Sequence, residues 1–93
     1  MSKSKWTVWA VEDDDRAGTP EIFDIAGYSA FEDAYESVLE ELRENGAAIC
    51  GYITAESGNI WYIRDGLTGE FGYCRPGVRD WRTALTETKQ ALA

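Results

Sequence analysis

Hydrophobic residues recur with the period of an α-helix in one stretch of the chain, residues 30 to 44. The apolar positions there fall at i, i+3, i+4, i+7, i+8 and i+11, namely Phe31, Ala34, Tyr35, Val38, Leu39 and Leu42. This spacing predicts an amphipathic helix with one apolar stripe. Ser29 and Glu32 fit the S-x-x-E capping box, so the helix is expected to begin after Ser29. Asn45 and Gly46 are expected to end it, with Gly46 in the left-handed conformation.

Five other stretches have the apolar, β-branched and aromatic composition of strands: residues 5–12, 21–26, 47–55, 59–64 and 70–74. The first and third are apolar on both faces, which indicates either strands covered on both sides or strands with a second, exposed apolar face. In the second, Phe23 and Ile25 are expected on one face, and Ile22 and Ala26 on the other. A last helix is predicted from the spacing of Val78, Trp81, Leu85 and Leu92.

The order of these elements, ββαβββα, is typical of an α+β domain. We expect an antiparallel sheet of four to five strands, with the amphipathic helix packed on a face and a C-terminal helix. The length of 93 residues predicts a single domain over residues 1–93. No apolar run approaches the roughly 18 residues of a membrane span, so no membrane contact is expected.

The composition removes most catalytic and metal chemistry. The chain has no histidine, the commonest general base and metal ligand, and two cysteines alone cannot complete a Cys/His zinc site. No nucleotide-binding loop is present, and no pair stands out among the 17 acidic residues. We therefore expect a protein that is not an enzyme and uses no cofactor or metal. Cys50 and Cys74 lie in apolar stretches and are predicted to be buried, reduced thiols of a cytoplasmic protein.

One acidic stretch has part of the pattern of a calcium loop. Asp13, Asp15, Gly18 and Asp24 match positions 1, 3, 6 and 12 of the EF-hand loop. Position 5 is Ala17, which has no side-chain oxygen, and the flanking residues predict strands where an EF-hand has helices. An acidic loop without calcium is therefore the prediction for this stretch.

The negative charge is concentrated in the first part of the chain. The 17 acidic and 9 basic residues give a net charge of −8. Residues 1–56 contain 13 acids and 4 bases, a net of −9, and residues 57–93 contain 4 acids and 5 bases, a net of +1. This balance argues against direct nucleic-acid binding, which normally uses a basic surface.

The solvent side of the first predicted helix carries much of this charge. Three like-charge pairs at i,i+4 lie between Glu32 and Glu44, and each destabilises the helix by about 0.2–0.5 kcal/mol. Two interpretations stay open: a surface that keeps the protein soluble, and a surface that recognises a basic partner. For the second, the candidate partner-binding residues are Asp13, Asp14, Asp15, Glu32, Asp33, Glu36, Glu40, Glu41 and Glu44.

The second half of the chain interleaves aromatic residues with arginines: Trp61, Tyr62, Arg64, Phe71, Tyr73, Arg75, Arg79, Trp81 and Arg82. This mixture is typical of protein-interface hot spots and of surfaces that stack bases. Strand alternation places neighbouring rings on opposite faces, so about half of them are expected in the core. This half supports an alternative function, a small structural or dimerisation module that binds protein or nucleic acid.

In its size, single domain, strong acidity and lack of catalytic residues, the chain resembles the small acidic proteins that bacteriophages use against host defences. Anti-CRISPR and anti-restriction proteins are of this kind, and the resemblance rests on no residue motif. It implies a stoichiometric inhibitor in the host cytoplasm that occupies a basic surface of a protein or ribonucleoprotein complex. Carboxylates can do so because they pair with the same Lys and Arg that hold phosphates. A homodimer stays open.

Overall fold

The computed structural model describes residues 5–12, 20–66, 72–73 and 77–92, which form one antiparallel sheet and two helices. The elements are β1 (Trp6–Glu12), β2 (Glu21–Tyr28), α1 (Phe31–Glu44), β3 (Ala48–Ala55), β4 (Ile60–Asp65), β5 (Gly72–Tyr73) and α2 (Trp81–Leu92). The order across the sheet is β2-β1-β3-β4-β5. The predicted α+β class is confirmed. Four strands make up most of the sheet, since β5 contributes two described residues at its edge.

The two helices pack on opposite faces of the sheet, each with its own hydrophobic cluster. On the α1 face the buried residues are Val8, Ala34, Val38, Ile53 and Tyr62. On the α2 face they are Val11, Cys50, Tyr52, Ile60, Ile63, Ala84 and Leu85. Consecutive residues of β3 and β4 therefore enter different clusters, as the pleat of a strand requires. The first of the two interpretations, that β1 and β3 are covered on both sides, is confirmed.

A close approach of α1 to β3 depends on Gly51. A Cβ at this position would lie 2.5 Å from Cγ2 of Val38 and 3.4 Å from Leu42. Real Cβ atoms are not found at the first of these distances, so a larger residue here would displace the helix. Glycine at position 51 thus sets the height of α1 above the sheet.

The beginning of α1 differs from the prediction. The N-cap residue is Ala30, which is extended with φ −118° and ψ 137° and makes no side-chain capping bond. The predicted capping box of Ser29 and Glu32 is therefore wrong. It fails because the helix begins one residue later than expected, which moves Ser29 out of the capping position.

The end of α1 also differs from the prediction, because hydrogen bonds of Asn45 end the helix where a left-handed glycine was expected. The positive φ angles among the described residues belong to Gly58 and Gly77, so Gly46 is not left-handed. Asn45 ends the helix instead. Its backbone N–H donates to the carbonyl of Glu41 at 2.8 Å, and its side-chain oxygen accepts from the N–H of Ala47 at 3.2 Å.

Strand β2 lies at one edge of the sheet and contains a β-bulge at Ile25. The bulge breaks the alternation that the sequence predicts. Ile22 is opposite Val11 on the α2 face, whereas Ala26 is opposite Val8 on the α1 face. The prediction that Ile22 and Ala26 share a face is therefore wrong, and Ile22 remains 47% exposed.

Helix α2 begins at a side-chain cap that the sequence analysis missed. The carboxylate of Asp80 accepts hydrogen bonds from the N–H of Thr83 at 3.2 Å and from its hydroxyl at 2.8 Å. These bonds hold the pKa of the Asp80 carboxyl below its usual value. Val78, predicted as part of the helix, precedes it and forms a β-bridge with Ile60.

Candidate partner-binding surface

Five carboxylates lie exposed on α1, and we call them the acidic row: Glu32, Asp33, Glu36, Glu40 and Glu44. None of the five forms an ion pair with a described residue. Four of them repeat every four residues, which places neighbours about 6 Å apart over a length of about 18 Å. Arg43 is the one basic residue of the helix. The structure thus places these five predicted residues together on the surface.

The remaining predicted residues do not extend this row within the described part of the chain. Glu41 is half-buried and accepts a hydrogen bond from Nδ2 of Asn45 at 3.3 Å. The same amide donates to Oε1 of Glu12 at 2.5 Å, so Glu41 belongs to the helix terminus. The predicted residues Asp13, Asp14 and Asp15 lie outside the described residues.

A connected set of aromatic rings lies beside the acidic row. Trp61 contacts Trp6 at a centroid distance of 5.8 Å, and Trp6 contacts Phe31 at 5.1 Å. Phe31 and Tyr35 both contact Tyr62, at 6.4 and 5.1 Å. All four contacts are edge-to-face, the geometry that aromatic quadrupoles favour. The two ends of this set reach solvent, because Trp61 is 39% and Tyr35 is 37% exposed.

The hydroxyl group of the buried residue Tyr62 lies near polar side chains of β4 and α1. Burial is the main cause that raises the pKa of Tyr62 above its usual value. Hydrogen bonding with the side chain of Arg64 lowers the pKa of this hydroxyl, and the neighbouring Tyr35 raises it. Because the phenol stays neutral near pH 7, it serves as a fixed hydrogen-bonding group between the helix and the strand.

Two hollows meet at Leu39 on the flank of α1, and we call them together the α1–β4 groove. One has a volume of about 560 Å³, and the described residues that line it are Phe31, Glu32, Tyr35, Glu36 and Leu39. The other has a volume of about 290 Å³, and its described lining is Leu39, Leu42, Arg43, Arg64 and Gly66. The groove therefore has an apolar middle, carboxylates at one end and arginines at the other.

The aromatic and arginine residues of the second half are not brought together in the described part. Trp61 is exposed, but Tyr62 is buried on the α1 face and Trp81 packs against the cluster of the α2 face. The guanidinium of Arg82 lies 5.2 Å from the centre of the Trp81 ring, and Arg79 donates to the carbonyl of Ser57 at 3.1 Å. The predicted residues Phe71 and Arg75 lie outside the described residues, and Tyr73 lies in the edge strand β5.

The thiol of Cys50 is buried on the α2 face. Burial, followed by the negative charge of Asp65, raises its pKa to about 12. A thiol with such a pKa is protonated near neutral pH and is not a nucleophile there. The predicted burial of Cys50 is confirmed, whereas Cys74 lies outside the described residues.

No protein-family model matches the chain, and no curated protein or solved structure matches it either. Among the described residues, no three or more cysteine or carboxylate side chains are arranged to hold a metal ion. In that same part of the chain, neither helix combines the length and apolarity needed to cross a membrane.

Proposed function

We propose that this protein is a non-enzymatic binding protein whose acidic row binds a basic surface of another protein or of a ribonucleoprotein complex. The observation that carries the proposal is the exposure of five carboxylates on one helix without an ion pair to a described residue. Mutual repulsion along the row costs about 1 kcal/mol. Glu44 adds to this cost, because a carboxylate opposes the dipole in the last turn of a helix. A basic partner would turn the repulsion into attraction.

The proposed action is stoichiometric inhibition, as in the phage anti-defence proteins that the chain resembles. The row would occupy a groove in which a cytoplasmic nuclease complex of the host holds DNA or RNA. Lys and Arg form strong charge-assisted hydrogen bonds to carboxylates as well as to phosphates, so the row can compete with a nucleic acid for these side chains. Complementary charges raise the rate of association with the partner, and the affinity falls as the salt concentration rises.

The test begins with capture of a partner from host lysate on the immobilised protein and identification of that partner. The dissociation constant is then measured for the wild type and for Glu36→Lys combined with Glu40→Lys. We expect the double variant to bind at least about 100-fold more weakly, because like charges across an interface cost several kcal/mol. It should be as stable as the wild type or slightly more so, because like-charge pairs are removed.

A matched control is Asp24→Lys combined with Glu56→Lys, two exposed positions outside α1. It changes the net charge by the same amount and leaves the acidic row intact. We expect it to bind within a few-fold of the wild type. Equal binding by the wild type and the α1 variant would show that the row only keeps the protein soluble. An equal loss in both variants would show that net charge matters and the row does not.

A further inference from the structure

Two parallel rows of side chains run along α1 beside the groove. Phe31, Tyr35, Leu39 and Arg43 repeat every four residues, and each lies one position before a member of the second row, Glu32, Glu36, Glu40 and Glu44. Residues four apart are neighbours on a helix surface, so each row is continuous. The first row lines the α1–β4 groove, and Glu32 and Glu36 of the second row line its larger hollow.

We propose that the α1–β4 groove is a docking site for a peptide segment of the partner protein. In this arrangement, apolar side chains of the segment enter the middle of the groove and contact Leu39 and Tyr35. Its Lys or Arg side chains pair with Glu32 and Glu36, and an acidic residue lies at the end that holds Arg43. The inference rests on the proposed function, because it states what chemistry the partner presents to the acidic row.

The groove is open because α1 is not centred over β4. The helix packs over β1 and β3, with further contact to β2, whereas β4 is covered from the opposite face by α2. Side chains on the β4 flank of α1 are therefore only partly covered by the described residues: Phe31 and Leu39 are half-buried and Tyr35 is exposed. Partly covered apolar side chains in a row are the usual contact surface for an apolar segment.

The charges around the groove decide which class of ligand fits. Carboxylates of Glu32 and Glu36 line the larger hollow together with aromatic rings. A nucleic acid would bring phosphates against these carboxylates, which repel it. A Lys or Arg side chain is attracted both by the carboxylates and by the face of an exposed ring such as Tyr35.

The arginine end of the groove gives the segment a direction. Arg64 is half-buried on β4, and Arg43 is exposed on the last turn of α1. Both line the smaller hollow. A carboxylate there would be bound by two guanidinium groups, which prefer such planar anions. From Phe31 to Arg43 the groove is about 18 Å long, enough for about five or six extended residues.

The test is selection of peptides from a random 12-residue phage-display library on the wild-type protein, with removal of phage that bind a Leu39→Ser variant. We expect enriched peptides with two or more apolar residues, an excess of Lys and Arg, and an acidic residue toward one end. A selected peptide is then synthesised, and its affinity is measured by fluorescence anisotropy. Leu39→Ser should weaken binding about tenfold or more, because Leu39 lies at the middle of the groove and the contacts that dominate binding cluster near the centre of an interface.

Three further variants separate the parts of the proposal. Tyr35→Ser changes an exposed side chain, so it tests the groove even if Leu39→Ser unfolds the protein, and it should also weaken binding about tenfold. Arg43→Glu should weaken the binding of a peptide that contains the acidic residue several-fold. The same variant should not change the affinity for a version of the peptide in which that residue is Gln. Ile22→Ser removes an exposed apolar side chain at the far edge of the sheet and should leave all affinities unchanged.

The outcomes also separate this inference from the proposed function. Enriched peptides that are basic without apolar residues, and that bind Tyr35→Ser as tightly as the wild type, would overturn the groove and leave the acidic row as the binding surface. Enriched peptides that bind Glu36→Lys with Glu40→Lys as tightly as the wild type would overturn both the proposed function and the stated partner chemistry. A selection that enriches no peptide above background would overturn the groove as a peptide site.

Discussion

Helices α1 and α2 lie on opposite faces of one sheet, and their polar side chains are used differently. On α2, Lys89 is 3.7 Å from the buried carboxylate of Asp65. The buried hydroxyl of Thr88 donates to the carbonyl of Ala84 at 2.6 Å. On α1, by contrast, the five carboxylates of the acidic row have no ion pair with a described residue. The fold therefore uses Thr88 and Lys89 of α2 in contacts with the rest of the described protein, whereas it leaves the acidic row of α1 exposed to solvent.

The same contrast applies to the apolar side chains. The α2 stripe buries Ala84 and Leu85 over the middle of β4. The α1 stripe is wider, and only Ala34 and Val38 are fully buried, while the β4 flank of the helix lines a groove. The β4 flank of α1 thus keeps apolar side chains that the described residues only partly cover, next to a strongly acidic solvent side. The two proposals explain why α1 carries both partly covered apolar side chains and a row of exposed carboxylates.

The largest expected effect tests whether both faces form a core. Ile53 and Ile63 are both fully buried, but Ile53 packs under α1 and Ile63 under α2. Ile53→Ala and Ile63→Ala should each lower the free energy of unfolding by about 2–5 kcal/mol, measured by urea denaturation. Ile22→Ala, at an exposed edge position, should change it by less than about 1 kcal/mol. A loss under about 1 kcal/mol for Ile63→Ala would show that α2 covers no real core.

Local sequence periodicity predicted the elements well because apolar period and burial agree in most of this chain. The stripe of α1 and the two-sided pattern of β1 were both recognised in this way. Periodicity failed where one extra residue changes the count: the bulge at Ile25 moves Ile22 to the other face, and the later start of α1 removes Ser29 from its cap. No single-sequence pattern indicates either event.

The second expected effect concerns the height of α1 above the sheet. Gly51→Ala would place a Cβ 2.5 Å from Val38, so the variant should lose about 1–3 kcal/mol of stability through overpacking. Adding Val38→Ala should recover part of this loss, so that the two changes are less than additive in a double-mutant cycle. Gly46→Ala, where a Cβ meets nothing within 4 Å, is the matched control and should be neutral or slightly stabilising. Additive losses would contradict the contact.

The third effect is a pH dependence that belongs to the α2 face. Burial raises the pKa of Cys50 from 9.0 to about 12, so the unfolded chain loses this proton at lower pH than the folded chain. The stability due to the neutral thiol is present below pH 9 and is lost as the pH rises toward about 12. The loss approaches about 1.4 kcal/mol for each pH unit.

Urea denaturation of the wild type and of Cys50→Ala between pH 8 and 11 measures this effect. The variant is less stable at pH 8 because of its cavity, but its stability should fall less steeply above pH 9. The pKa of Tyr52 is raised to about 12, so its ionisation lowers the free energy of unfolding of both proteins above pH 10. Identical slopes for the two proteins would refute the role of the thiol.

The acidic row could be predicted from sequence, but the groove beside it could not. Helical spacing places Glu32, Glu36, Glu40 and Glu44 in one row wherever the helix packs, so their exposure follows from the stripe alone. The groove depends on where α1 lies across the sheet, and hence on Gly51 and the strand order.

The smallest expected effect compares the first residues of the two helices. Asp80 caps α2 with two hydrogen bonds, so Asp80→Ala should lower Tm. Ala30 occupies the N-cap of α1 in an extended conformation without a side-chain bond, so Ala30→Ser should raise the free energy of unfolding by about 0.5–1 kcal/mol. Ser29→Ala is the control, and it should leave Tm unchanged because Ser29 precedes the cap. If Ser29→Ala lowers Tm while Ala30→Ser does not raise it, Ser29 is the N-cap residue of α1. Both helices would then begin at a side-chain cap.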